Sequence, residues 1–420
     1  MGINLIGHLN ASSGLGNTAR LFARALTQRG VDIVGLDIDS VGNPKTTSTA
    51  DLNVVQRVED LPFKTNLIIV SILLLPSLWC RRLPVLISPQ FTNIGMVFWE
   101  LPEIPPAWIP ALEIFDSIVV CSQYVRSAVE LSVPDVPTIF AEHPLERIDS
   151  LSKGRIHRDN FSIKQSDIVF GSSFDLRSDF SRKNSMGVLE AFQRAFPNVP
   201  NARLLVKASG QPTDGKIHPI AKKILAESNK DSRITFVDRT MDYSEVMSLY
   251  QLCDVFVSLH RAEGLGLGPM EAMLMGKLVI ATGYSGNTTY MTEQNSVLVE
   301  YSLVKPTNMA WQFRRSFAGA RAVWAEPNME SAISALRYAF TSPDLRSKLG
   351  SRARNDILAR QETAWNADNL VSILDRKSST EKIRRRVVLQ RKIKVNEYLD
   401  PTLLMMNIKS LYGKLNKRDH

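Results

Sequence analysis

Twice along the chain, short apolar runs alternate with segments whose apolar residues recur at helical spacing, and this repetition restricts the fold more than any other feature. Residues 3–6 form an apolar run before a Gly/Ser/Asn loop. Leu21, Phe22, Ala25 and Leu26 then mark a helix over 17–26, Gly30 closes it, and residues 31–38 give a second strand. Further runs at 66–75, 94–98 and 117–120, the last leading into a helical pattern through Tyr124, Val125, Ala128 and Val129, make one α/β unit of parallel-sheet type. Residues 146–165 are polar and charged, lack apolar periodicity and read as a linker. The alternation starts afresh with a strand at 168–172 and a helix around Val188, Leu189, Ala191, Phe192 and Phe196. Strands at 203–207, 234–237 and 255–259 follow, which predicts a second Rossmann-like domain. Helices are expected over 329–338 and 345–358. A chain of 420 residues, 44% of them hydrophobic, is long enough for two cores. The expected domains are 1–155, 156–365 and a helical crossover and tail at 366–420.

The net charge of +9 resembles that of a nucleic-acid-binding protein until it is located. Residues 376–420 hold 13 Lys and Arg against 4 Asp and Glu, while the rest of the chain holds 38 of each. A neutral body and a basic tail without an aromatic platform give no expectation of nucleic-acid binding. Two readings of the tail stay open. Arg384, Arg385, Arg386, Arg391, Lys392 and Lys394, followed by an amphipathic helix from Asp400-Pro401 with Leu404, Ile408, Leu411, Tyr412 and Leu415 on one face, could lie on an anionic membrane surface. The same helix could serve domain packing or homo-oligomerisation. The most apolar stretch, 67–79, is too short and too interrupted to span a bilayer. Met1-Gly-Ile-Asn-Leu-Ile-Gly reads as a first strand and not a signal peptide. With Cys80, Cys121 and Cys253 too scattered for a disulfide framework, the expected location is the cytoplasm, at the inner face of the membrane if the tail docks.

The chemistry concentrates in Leu259-His-Arg-Ala-Glu-Gly-Leu-Gly-Leu-Gly-Pro-Met-Glu-Ala-Met, where a strand ends, a glycine-rich loop follows and Pro269 starts a helix. Gly264, Gly266 and Gly268 let a ligand approach the backbone closely, and the free N–H groups of a helix start favour an anion such as a diphosphate. Glu263 and Glu271 flank that anion site. Carboxylates accept hydrogen bonds from sugar and ribose hydroxyls, so the combination points to a sugar attached to a nucleotide.

This segment resembles the E-x7-E signature of the retaining glycosyltransferases of family 4, which have the GT-B fold: two Rossmann-like domains facing a cleft. Val279-Ile-Ala-Thr-Gly, Ser285-Gly-Asn, Trp324-Ala-Glu-Pro, Arg182-Lys-Asn, Gly14-Leu-Gly with Ala19-Arg20, and Trp99-Glu-Leu-Pro with Pro105 and Trp108 extend the resemblance over about residues 1–370. It implies that Glu263 lies beside the donor sugar, that Glu271 binds the ribose, and that Gly264, Leu265, Gly266 and Leu267 cradle sugar and diphosphate. Lys183 and an arginine, Arg177 in preference to Arg182, would neutralise the departing diphosphate. Gly14 and Gly16 would approach the donor phosphates from the first domain. His260, Lys207, Glu100 and His8 are further candidate ligand contacts, each balanced by a structural role. Asn287 is expected to serve its turn, and Trp99 and Trp108 to anchor packing. A front-face displacement is implied, with a hexose passing to a glycan or lipid-linked glycan hydroxyl and no cofactor or metal. Asp37-Ile-Asp39 is formally a D-x-D triplet but reads as ordinary strand-end acids.

Two other classes compete. Gly14-x-Gly16-x-x-Ala19 with Asp37 or Asp39 downstream also resembles an NAD-binding fingerprint, although six residues separate the strand from the first glycine where the motif wants an immediate turn. A non-catalytic sugar-nucleotide-binding protein is the other alternative.

Overall fold

The computed structural model describes residues 1–11, 13–38, 52–147, 156–176, 178–211, 216–239, 241–307, 321–374 and 380–399, without the side chains of 380–384 and 395–399. The chain divides into two units. Met1–Pro144 and the chain from Gln361 onward belong to the first, and Leu145–Ala310 with Val323–Arg360 to the second.

The first unit is built on a parallel sheet of β1 (Gly2–Gly7), β2 (Asp32–Asp37), β3 (Asn53–Val55), β4 (Thr65–Ile69), β5 (Thr92–Met96), β6 (Ser117–Val120) and β7 (Thr138–Phe140), in the order β3-β2-β1-β4-β5-β6-β7. Its central strands are buried throughout, as parallel strands covered on both faces must be. Inside it runs a polar ladder that hydrophobic pattern does not reveal. Asn4, Asn66 and Asn93 pair in register on β1, β4 and β5 and bond side chain to side chain at 2.8 Å each. The apolar run expected as a strand over 66–75 is extended only to Ile69. Ser71 accepts the Leu73 N–H at 3.4 Å and starts a 3₁₀ turn, Ile72–Leu74, with Pro76 just beyond.

The helix Thr380–Leu399 also packs on this unit, and two arginines of the basic run, Arg385 and Arg386, find their acidic partners there. Arg386 is fully buried. It pairs with Asp116 and donates to the carbonyls of Ile114 (3.1 Å) and Phe91 (3.0 Å). Arg385 pairs with Glu113 at 2.6 Å and Asp135 at 3.1 Å, and Leu389 and Ile393 are buried. The amphipathic helix expected after Asp400 lies outside the described residues.

The second unit repeats the topology. β8 (Ile168–Asp175), β9 (Ala202–Ser209), β10 (Ile234–Asp238), β11 (Val255–Ser258), β12 (Leu278–Thr282) and β13 (Val297–Val299) form a parallel sheet in the order β10-β9-β8-β11-β12-β13. An antiparallel pair, β14 (Tyr301–Val304) and β15 (Trp324–Pro327), adjoins it in sequence. Helices Ser185–Ala195 and Met329–Thr341 bury their apolar stripes in a core with Phe170, Leu204 and Val257. The expected linker is partly core: Ile156 and Ile163 are buried with Val169, Leu205 and Cys253.

Both sheets place their strands in the spatial order 3-2-1-4-5-6 from an edge, with a seventh strand added in the first. In such sheets ligands bind beyond the carboxyl ends of the strands where the order reverses, here β1/β4 and β8/β11. Among the described residues no helix is long and apolar enough to cross a membrane.

Candidate functional site

Two strand ends of the second unit, those of β8 and β11, converge on one carboxylate. Beyond β8, Asp179 accepts the Arg182 N–H at 3.1 Å and so caps the single turn Phe180–Lys183. Asn184 then takes a left-handed conformation (φ 50°), which asparagine tolerates, and redirects the chain into the helix Ser185–Ala195. Its side chain donates to Leu259 O at 2.9 Å. Three more bonds sew the two loops together: Arg261 N to Arg182 O at 2.7 Å, Arg261 Nη1 to Ser181 O at 2.5 Å, and Arg182 Nη1 to Ala262 O at 2.6 Å. Glu326 grips Arg261 with two bonds of 2.6 and 2.7 Å.

This stitching delivers Lys183 Nζ to 2.6 Å from Glu263 Oε1 and Arg182 Nη1 to 3.2 Å from Oε2. Glu263 is buried, and burial alone would raise its pKa. The charges of Lys183 and Arg182 outweigh that and hold it at about 2. The site therefore carries a permanently ionised carboxylate between two cations.

The loop beyond Glu263 is held by its glycines. Glu263 N donates to Ser285 Oγ at 2.8 Å, and a side chain on Gly286 would meet Gly264 O at 2.2 Å, so that approach requires glycine. Gly266, at φ 87°, opens the helix Leu267–Leu274 and accepts the Tyr290 hydroxyl on its carbonyl at 2.5 Å. The helix thus begins two residues before Pro269. Having no side chain, Gly266 leaves the first turn uncapped; Pro269 has no N–H and Met270 N bonds Gly266 O at 3.2 Å, so the amides available to an anion are those of Leu267 and Gly268.

Glu271 projects from the same helix into a different environment. Burial raises its pKa to about 7, opposed by the Tyr243 phenol and the charge of Lys207, itself buried on β9. Beneath Gly268 the Ser173 and Tyr250 hydroxyls bond at 2.5 Å. The structure therefore brings together Lys183, Glu263 and the Gly264–Leu267 backbone, and sets the charge of Lys207 within electrostatic reach of Glu271.

Other expected contacts are placed differently. His260 is fully buried. Its Nε2 faces two acceptors, Tyr284 O (3.2 Å) and Asn287 Oδ1 (3.0 Å), and Nδ1 meets Ser258 Oγ at 3.0 Å, so it braces the loop with both nitrogens. Asn287 serves its turn, donating to Thr282 O at 2.9 Å. Arg182, the less favoured of the two candidate arginines, is turned onto Glu263; Arg177 lies outside the described residues. In the first unit Gly14 and Gly16 lie within the helix Gly14–Gln28 and not in a loop before it, because Ser13 caps it by accepting Gly16 N at 3.2 Å. A side chain on Gly16 would meet Ala11 O at 2.3 Å, so this glycine serves packing. The His8 ring meets Ile38 O at 2.6 Å. Asp37 accepts from Leu9 N at 2.7 Å and from the Asn10 side chain at 3.0 Å, which commits both its oxygens and weakens the NAD and D-x-D readings; Asp39 lies outside the described residues. Glu100 is half-buried, its carbonyl accepting from Tyr124 at 3.4 Å. Trp99 and Trp108 are buried edge to face, as packing anchors are.

Sequence reasoning missed Arg261, Tyr243 and Tyr250. Arg261 stood in the quoted motif, but its partners are Ser181 and Glu326, 80 and 65 residues away.

Comparison with known proteins follows the same division. Residues 176–356, most of the second unit, match the family described as glycosyl transferases group 1. Sucrose-phosphate synthase from Thermosynechococcus elongatus superposes with a TM-score of 0.64 at 14% identity, over 89% of this chain and 97% of that one. Anabaena Alr3699/HepE, solved in complex with UDP and glucose, gives 0.62 at 12% identity, over 89% and 100%. A TarM mutant from S. aureus, in complex with Fondaparinux, alpha-GlcNAc-glycerol and UDP, gives 0.53 at 13% identity over 74% of this chain, which spans only 55% of that one. A search of curated proteins gives no match. At these identities the likeness is one of fold: the chain has the α/β GT-B fold, two Rossmann-like units with a helical C-terminal region.

Proposed function

We propose that the chain is a retaining glycosyltransferase of the E-x7-E type, which moves a hexose from a nucleoside diphosphate sugar to a glycan or glycolipid hydroxyl. The observation that carries this reading is the Lys183–Glu263–Arg182 cluster beside an uncapped helix start at the β8/β11 switch point. The group 1 match over these residues supports it, as do the UDP complexes of two structural neighbours.

In this account the diphosphate lies on the amides of the Leu267–Leu274 helix start. Lys183 and Arg182 neutralise the charge that grows there as the sugar C1–O bond breaks. Glu263, ionised at every working pH, holds donor sugar hydroxyls. The acceptor oxygen forms the new bond to C1 on the face the diphosphate leaves, and its proton passes to a diphosphate oxygen, so the chain supplies no separate base. The two cations stand where a metal would otherwise balance charge.

Thermal stabilisation by UDP-, GDP-, ADP- and dTDP-sugars, followed by NMR of the released or transferred sugar, tests the reading. One donor class should raise the melting temperature, and its sugar should keep its anomeric configuration. Stabilisation without hydrolysis or transfer points to a binding protein, an inverted product refutes retention, and no stabilisation by any donor refutes the assignment.

A further inference from the structure

Glu271 and Tyr243 lie beside each other on two neighbouring helices, and the tyrosine lacks the hydrogen bond its burial calls for. Tyr243 is the first residue of the helix Tyr243–Leu252. Asp242 caps that helix by accepting Glu245 N at 2.8 Å, while Glu245 reaches back to Asp242 N at 3.0 Å. This reciprocal cap fixes where the ring starts. The Tyr243 hydroxyl is buried and completes no hydrogen bond of normal length, although it lies close enough to Glu271 for the carboxylate to act on it. A buried hydroxyl left without a full hydrogen bond is costly, so its retention calls for a partner that arrives. The second tyrosine near Glu271 differs in this respect, because Tyr250 is already bonded to Ser173 at 2.5 Å.

A carboxylate and a phenol that approach without closing on each other are complementary to a vicinal diol. One diol hydroxyl donates to the carboxylate, and the other accepts from the phenol. We propose that Tyr243 is a second nucleotide-contacting residue, pairing with Glu271 across the ribose 2′,3′-diol, so that the site selects ribonucleoside over 2′-deoxyribonucleoside diphosphates. This rests on the donor-site reading above, with Glu271 on the ribose. Tyr243 adds the specificity.

The test titrates UDP, GDP and ADP and their 2′-deoxy forms into the full-length protein and into Tyr243→Phe, which keeps the ring and removes only the hydroxyl. The unmodified protein should bind its preferred ribonucleotide about tenfold or more tightly than the 2′-deoxy form, since a site built around a hydroxyl leaves polar groups unpaired when that hydroxyl is missing. Tyr243→Phe should cut this ratio about fivefold by weakening the ribonucleotide alone, and in transfer assays it should raise KM while sparing kcat. A ratio near one in the unmodified protein overturns the proposal without any substitution. So does a ratio that Tyr243→Phe leaves intact. If none of the six nucleotides binds the unmodified protein, the donor-site reading itself fails.

Discussion

The loops at the two switch points start from the same sheet topology and end in opposite chemical states. In the first unit the polar groups around the turn after β1 are spent on one another. Asp37 holds Leu9 N and Asn10, Arg20 holds the carbonyls of Leu9 (2.8 Å) and Ala11 (3.1 Å), His8 meets Ile38 O, and Ser13 caps the helix. In the second unit the helix start is uncapped, the Tyr243 hydroxyl is unsatisfied, and Glu271 is buried at a pKa of about 7. A shared fold thus fixes where a site can be, and in the proposed function it is the polar capacity left unspent in the second unit that marks it as the donor site.

Four substitutions break or sharpen this contrast. Glu263→Gln should have the largest effect, with transfer falling about 10²–10³-fold, the range typical of losing one transition-state electrostatic contact. Nucleoside diphosphate binding should survive, because Lys183 and Arg182 remain. Comparing turnover with calorimetric affinity checks both halves. Lys183→Ala should weaken nucleoside diphosphate binding about 10- to 100-fold, as expected for a charge-assisted bond worth about 1.5–3 kcal/mol. Asp37→Asn should cost about 1 kcal/mol, seen as a lower melting temperature, and leave nucleotide affinity alone. If Asp37→Asn abolished binding instead, the first unit would hold the ligand.

The smallest effect is that of pH. The folded state holds the Glu271 proton up to about 7, whereas a glutamate free in water gives it up at about 4.5. The contribution of Glu271 to stability is therefore complete below about 4.5 and is lost as pH rises through about 7. The decline in melting temperature is shallow because it is spread over that window, and Glu271→Gln should flatten it. A steeper decline in the variant would contradict the assignment.

Much of this was legible in sequence, for reasons that differ by element. Ser117–Val120 was read with its observed bounds because a buried parallel strand is a continuous apolar run between turn residues. Glu263, Glu271 and the Arg182-Lys183-Asn184 triplet were visible because both halves of the site sit in short motifs. Three-residue strands such as Asn53–Val55 and Thr138–Phe140 are too short to show a period. The asparagine ladder was hidden because its members lie 62 and 27 residues apart and mean nothing singly. Arg385 and Arg386 looked like a solvated basic run because their acids, Glu113, Asp116 and Asp135, come from another part of the chain. Tyr243 carried no local signal, since its significance comes only from where the neighbouring helix puts Glu271.

The most direct measurement is a calorimetric titration of UDP, GDP, ADP and dTDP into the unmodified protein, Lys183→Ala and Asp37→Asn side by side. The account predicts binding of one nucleotide class that Lys183→Ala weakens at least about tenfold and Asp37→Asn leaves unchanged. The reverse pattern, with Lys183→Ala silent and Asp37→Asn disabling, would contradict it.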